Sequence, residues 1–236
     1  MSQALFEHGG LRFWNENEIQ LREMAITKLS STVRNQLSSI NPAWKFVRCE
    51  GPILHPRSEI SSSYDDTDIF TTNHKDFCLR AETTPSSYAY ARSLKSKLPL
   101  CVWQAGISSR RENSDGASAS KLRFNCFWQL EFQCIYSIGT LADYRARVIP
   151  AIARDISWLT GLTARIVDSD RLPSYSLSTQ DIEVYIPESL LYKEMTPGYR
   201  EIASCSIRTD YSDDTRVAEF AIGLDRIASF GSLRDI

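Results

Sequence analysis

Two runs rich in aromatic and β-branched residues bracket a long polar stretch, and this pattern constrains the fold more than any other feature. The first run is Leu100-Cys101-Val102-Trp103-Gln104-Ala105 and the second is Phe124 to Ile138. Such residues suit a pleated, half-buried surface, so both runs are predicted strands. Between them, Ser108 to Lys121 is dominated by Ser, Gly, Asn, Asp and Arg. A long polar connection between two strands predicts an antiparallel hairpin, and loops of this length are often functional.

The rest of the chain supplies helices to cover such a sheet. Glu16 to Leu37 carries Ile19, Met24, Ile26, Leu29, Val33 and Leu37 mostly at three- and four-residue spacing, which predicts an amphipathic helix with Asn15 as N-cap. Trp44 to Cys49 alternates as a strand and stops at Gly51-Pro52. Ser58 to Asp68 is Ser- and Asp-rich and predicts a surface loop. Thr84 to Lys97 reads as a helix from Tyr88 onward, with Pro85 in its first turn. Leu141 to Leu159 is a second amphipathic helix that Pro150 is expected to kink or interrupt. Asp181 to Ile186, Glu201 to Arg208 and Val217 to Ile222 are further strands, and Gly223 to Phe230 begins a terminal helix. The expectation is an α+β fold, an antiparallel β-sheet flanked by helices, in one domain over 1–236.

Composition narrows the function classes. The chain has 236 residues, 42% of them hydrophobic, enough for one sizeable core. A net charge of -2 gives no sign of strong nonspecific nucleic-acid binding, although a local basic face is compatible with it. Apolar runs are too short to span a membrane, and Met1-Ser2-Gln3-Ala4-Leu5-Phe6-Glu7 lacks the basic start and apolar stretch of a signal peptide. No two of the six cysteines form a CxxC, so no zinc motif is present, and reduced, mostly buried thiols in a cytoplasmic protein are expected (host cytoplasm, for a viral form).

Gln104 to Gln133 holds the densest set of candidate site residues: Arg110, Arg111, Glu112, Lys121, Arg123, Phe127 and Glu131. A guanidinium offers forked donation to a phosphate, and an aromatic ring on a sheet offers a stacking face for a base. A carboxylate can receive an ammonium group. The same residue types also suit a solvated polar hairpin, and residue identity alone leaves both readings open.

The order of the pieces adds a resemblance. Gln104-Ala105-Gly106-Ile107-Ser108-Ser109-Arg110-Arg111-Glu112, followed by Leu122 to Glu131, resembles motif 2 of class II aminoacyl-tRNA synthetases (about 100–136). That motif runs Q-x-G-x-x-F-R-x-E, a variable loop, then a strand with an aromatic and an acidic residue. Ser109 stands where the family has Phe, and Asn125-Cys126 where it has Arg-Glu. The resemblance implies that Arg110 holds the ATP α-phosphate and the amino-acid carboxylate, that Glu112 and Arg123 serve the nucleotide, and that Phe127 stacks on adenine. Glu219-Phe220-Ala221-Ile222-Gly223-Leu224-Asp225-Arg226 resembles motif 3 (about 217–230). It implies an ATP role for Glu219 and assigns Arg226 to the γ-phosphate. The helix and strand over about 16–52 resemble motif 1, which implies a homodimer.

Two segments are similar to glycyl-tRNA synthetases. Leu79-Arg80-Ala81-Glu82-Thr83-Thr84 looks like their L-R-P-E-T, and Gly198-Tyr199-Arg200-Glu201 with Arg208 looks like their G-W-x-E…R. Ala221 stands where that subgroup has Ser. The resemblance implies that Glu82, Glu131 and Glu201 grip a small, glycine-like amino acid by its ammonium group, and that Glu201 and Glu219 hold Mg²⁺. The expected activity is ATP-dependent formation of an aminoacyl-adenylate and transfer to the acceptor end of tRNA. Two alternatives stay open: another acyl acceptor, or a non-catalytic paralogue acting as a nucleic-acid-binding or polymerase-accessory dimer. Ten residues follow Arg226, so no anticodon-binding domain is expected.

Overall fold

The computed structural model describes residues 6–8, 11–59, 64, 66–111, 122–140, 143–191 and 195–230, without the side chains of 6–8. Seven strands form one sheet: β3 (Lys45–Arg48), β6 (Leu100–Ser109), β7 (Cys126–Ser137), β8 (Ala164–Asp168), β9 (Ser176–Ile186), β10 (Gly198–Arg208) and β11 (Thr215–Gly223). Their spatial order is β3-β6-β7-β11-β10-β9-β8. Two small ladders lie outside it, β1 (Phe6–His8) with β2 (Leu11–Phe13) and β4 (Leu54–Pro56) with β5 (Phe77–Leu79).

The central hairpin forms as its sequence predicts, with Cys101 opposite Cys134 and Gln104 opposite Glu131. The expected antiparallel sheet is corrected at one edge, where β3 runs parallel to β6. The connection from Cys49 to Pro99 carries β4, β5 and α2 (Thr84–Ser93), and a connection that long can return the chain in the same direction.

Period-two alternation gives the sheet two chemically different faces. On one, Leu130, Phe132, Cys134, Ala203, Cys205, Ala218, Phe220 and Ile222 pack in one core with α1 (Glu16–Ile40), α3 (Tyr144–Thr160) and α4 (Leu224–Phe230). On the other, Leu100, Val102, Ile135 and Val217 pack with Tyr88 and Ala91 of α2, and Gln104, Glu131, Gln133, Ser206 and Glu219 add polar side chains. Burying one face fixes the register, because a slip of one residue would exchange the two faces.

α1 buries Leu21, Ala25, Ile26, Leu29, Val33 and Leu37. Asn15 caps it as predicted: its side chain accepts from Glu18 N at 3.0 Å, and Glu18 Oε2 accepts from Asn15 N at 2.9 Å. Contrary to expectation, Pro150 does not interrupt α3. Pro150 and Ala146 are both exposed, so water can satisfy the carbonyl that the missing N–H leaves. Buried Val148, Ile149, Ile152 and Ile156 hold the helix against the core. α2 is shorter than predicted. It stops at Ser93, just before the positive φ of Lys95.

Candidate active site

The polar face of the sheet opens into a cleft of about 450 Å³. Eight of the nine residues to which the resemblance assigns a role line it: Glu82, Arg110, Arg123, Phe127, Glu131, Glu201, Glu219 and Arg226. The ninth, Glu112, lies outside the described residues. Strand geometry explains the convergence. Glu131, Ala221, Ser204 and Asp181 are register partners in a single row across β7, β11, β10 and β9, and all four line the cleft. Glu219 is one step further along, opposite Gln133 and Ser206.

The floor around Glu131 is a buried polar cage. Glu131 accepts hydrogen bonds from Thr83 Oγ1, Thr84 Oγ1 and the side-chain amides of Gln129 and Gln133. These four donors fill the acceptor sites of one carboxylate. Burial pushes its carboxyl up to about 7, reinforced by the charges of Glu219 and Glu82 and opposed by the Thr83 and Thr84 hydroxyls. Glu219 accepts from Arg208 Nη1 at 2.5 Å and from Gln133 Nε2 at 3.1 Å. Arg208 is 1% exposed, pairs with Asp210 at 2.6 Å and lies 3.9 Å from the ring centroid of Tyr175.

The arginine end is built by the hairpin tip and by the start of α4. Arg110 lies over Phe127, 4.9 Å from the ring centroid, and donates to Tyr64 Oη at 2.9 Å. Tyr64 Oη donates in turn to Glu82 Oε2 at 3.3 Å. Arg226 Nη1 donates to the Glu201 carbonyl at 2.6 Å and lies 3.4 Å from its carboxylate. Asp225 anchors the start of α4. It accepts from Trp128 N at 2.5 Å and faces Arg12 at 3.4 Å, while burial lifts its carboxyl to about 6 against the pull of Arg12.

Arg80 braces the hairpin from below, donating to the carbonyls of Gly51 at 2.8 Å and Ile107 at 3.0 Å. Gly106 makes that possible, since a Cβ there would fall 2.5 Å from Arg80 Nη2. Gln104 completes the brace, with its side-chain amide donating to Ser87 Oγ at 2.7 Å and the Thr83 carbonyl at 2.8 Å. Gln104, Gly106 and Arg80 therefore position the hairpin.

Two expectations are corrected by the register. Glu201 and Glu219 do not form a common metal site. Ser206 is the partner of Glu219, which leaves Glu201 five residues away along β10, or about 16 Å. One Mg²⁺ with ligand oxygens at about 2.1 Å cannot bridge that gap. Among the described residues no group of three His, Cys, Asp or Glu side chains could hold a metal. Glu201 is likewise separated from Glu131, whose row crosses β10 at Ser204, and belongs to the arginine end. Sequence reasoning also missed residues. Gln129 and Gln133 were detectable as polar positions alternating with apolar ones in a buried strand. Tyr64 gave no signal, because it lies in the stretch predicted as a surface loop.

No family model and no curated protein sequence matches this chain. Among solved structures it is similar to prolyl-tRNA synthetase from Cryptosporidium parvum complexed with halofuginone and AMPPNP. The identity is 12% and the TM-score 0.72, over 97% of this chain and 49% of that one. The same enzyme complexed with L-proline and AMP gives a TM-score of 0.70 at 12% identity, again over 97% and 49%. The chain thus spans about half the length of these structures. At this identity the likeness concerns architecture: the fold is that of a class II aminoacyl-tRNA synthetase catalytic domain.

Proposed function

We propose that this chain activates an amino acid with ATP and transfers the aminoacyl group to the acceptor end of a tRNA. The observation that carries this reading is the convergence of Arg110, Phe127, Glu82, Glu131, Glu219 and Arg226 on one cleft, from segments spread across the chain. Such a site acts by positioning and electrostatics, with no covalent nucleophile.

In this reading Phe127 stacks on adenine, and Arg123 and Glu112 serve the nucleotide. Arg110 binds the α-phosphate and the amino-acid carboxylate. A carboxylate oxygen attacks the α-phosphorus, the bond to the β-phosphate oxygen breaks, and pyrophosphate leaves with its charge countered by Arg226. The γ-phosphate displaces the Glu201 carboxylate from Arg226. The tRNA hydroxyl then takes the acyl group and AMP departs. Glu82 and Glu219 receive the substrate ammonium, while Glu131, its acceptor sites filled, adds negative potential beneath them. The acidic floor of Glu82, Glu131 and Glu219 suits a small amino acid held by its ammonium group, glycine above all. The chain acts as a homodimer, as motif 1 implies, and light scattering reporting a monomer would oppose that element.

A second reading is a non-catalytic paralogue that binds nucleic acid. Ser109 and Cys126, in contact at 3.3 Å, favour it, because they replace a Phe and a Glu of the nucleotide loop. ATP–pyrophosphate exchange against each of the twenty amino acids separates the two. Exchange with one amino acid supports the ligase. Absence of exchange and of ATP binding supports the paralogue.

A further inference from the structure

We propose that Tyr64 is a positioning residue that couples the two substrate subsites, transmitting occupancy of Glu82 to the orientation of Arg110. This inference rests on the reading of the cleft as an ATP and amino-acid site. Tyr64 Oη accepts from Arg110 Nη1 at 2.9 Å and donates to Glu82 Oε2 at 3.3 Å. Its ring lies 5.4 Å from the Arg110 guanidinium, so the phenol contacts that group through both its oxygen and its π-face.

The chemistry of the bridge explains why a phenol suits this place. A direct Arg110–Glu82 ion pair would spend both charges on each other, and a substrate would have to break it. A neutral hydroxyl keeps the two charges apart while tying their positions together. Burial, with the Glu82 carboxylate adding to it, pushes the phenol well above the ordinary tyrosine range, so it keeps the proton it donates. An ammonium group arriving at Glu82 fixes that carboxylate, which orients the hydroxyl. The hydroxyl then sets the plane of the guanidinium above Phe127. A fork held in the correct plane loses less freedom when it takes a phosphate.

The consequence is synergy: each substrate tightens the other's site through one hydroxyl, by equal factors in each direction. Tyr64→Phe keeps the ring and removes the link. The test is steady-state ATP–pyrophosphate exchange with wild type and Tyr64→Phe, measuring the amino-acid KM at low and at saturating ATP. The expected wild-type result is a KM that falls as ATP rises. In the variant the two KM values should converge, and kcat should drop about 10- to 100-fold, the range for hydrogen bonds to charged groups. Thermal melting should leave the variant at the wild-type temperature. A variant that keeps the wild-type KM ratio overturns the inference and leaves the activity standing. A variant that loses stability and keeps the ratio shows a structural role only and also overturns it. A wild type with no exchange and no ATP binding removes the functional reading, and the inference with it.

Discussion

The carboxylates of Glu131 and Glu219 share one amide: Gln133 Nε2 donates to both from the middle of β7. Two acids bridged by a neutral side chain, with Arg208 held against only one of them, leave excess negative charge at the base of the cleft. That charge is costly in the empty protein and is relieved by a cation. In the proposed function, the cation that this floor receives is the ammonium group of the amino acid.

Because Glu131 titrates near 7 in the folded protein against 4.5 for its ordinary value, the native state holds this proton longer than the unfolded chain. The stabilisation is fully present below about pH 4.5. It is lost as pH rises to about 7, at about 1.4 kcal/mol per pH unit. Glu131→Gln removes this dependence. Urea midpoints of wild type and variant from pH 4.5 to 8 should shift steadily in the variant's favour until about pH 7 and then run parallel. A constant offset across the range would contradict the assignment.

Arg208, buried, pairs with Glu219 at 2.5 Å and with Asp210 at 2.6 Å. Removing one partner of a buried ion pair costs about 3–5 kcal/mol, because the remaining charges are stranded. Arg208→Ala should lose stability on that scale, because Glu219 is left buried without its cation. Chemical denaturation of Arg208→Ala and of the double variant Arg208→Ala/Glu219→Gln measures it. An equal loss in the two variants would show that packing, and not charge, is what the arginine supplies.

The cap on α1 gives a prediction independent of function. Asn15→Ala deletes the acceptor for Glu18 N and should cost about 1 kcal/mol. Calorimetry reads it as a lower Tm. An unchanged Tm would mean that packing, and not the cap, holds the helix start.

Much of this architecture is written locally. The hairpin of β6 and β7 is legible because Trp103, Phe132 and Cys134 alternate with Gln104, Glu131 and Gln133, and alternation is a property of neighbouring residues. Asn15 and Glu18 announce the α1 start for the same reason. What depends on distant pairing is not legible. The parallel direction of β3 follows from the route of Cys49 to Pro99. The separation of Glu201 from Glu219 follows from the β10–β11 register, since both sit on strands that read as neighbours. Three-residue strands such as β4 and β5 carry too few side chains to show a period. Tyr64 was hidden because Ser58 to Asp68 has the composition of an exposed loop, while its one large aromatic is held by Arg110 and Glu82, residues distant in sequence.

The central claim is that Arg110, over Phe127, binds the reacting phosphate. The direct measurement is amino-acid-dependent ATP–pyrophosphate exchange by wild type and Arg110→Ala at equal concentration, with melting curves as a control for folding. The account predicts exchange in the wild type with one amino acid, and a loss of at least about 10²- to 10³-fold in the variant, on the scale seen when one charge-stabilising donor is removed. Equal exchange rates in the two proteins would contradict it.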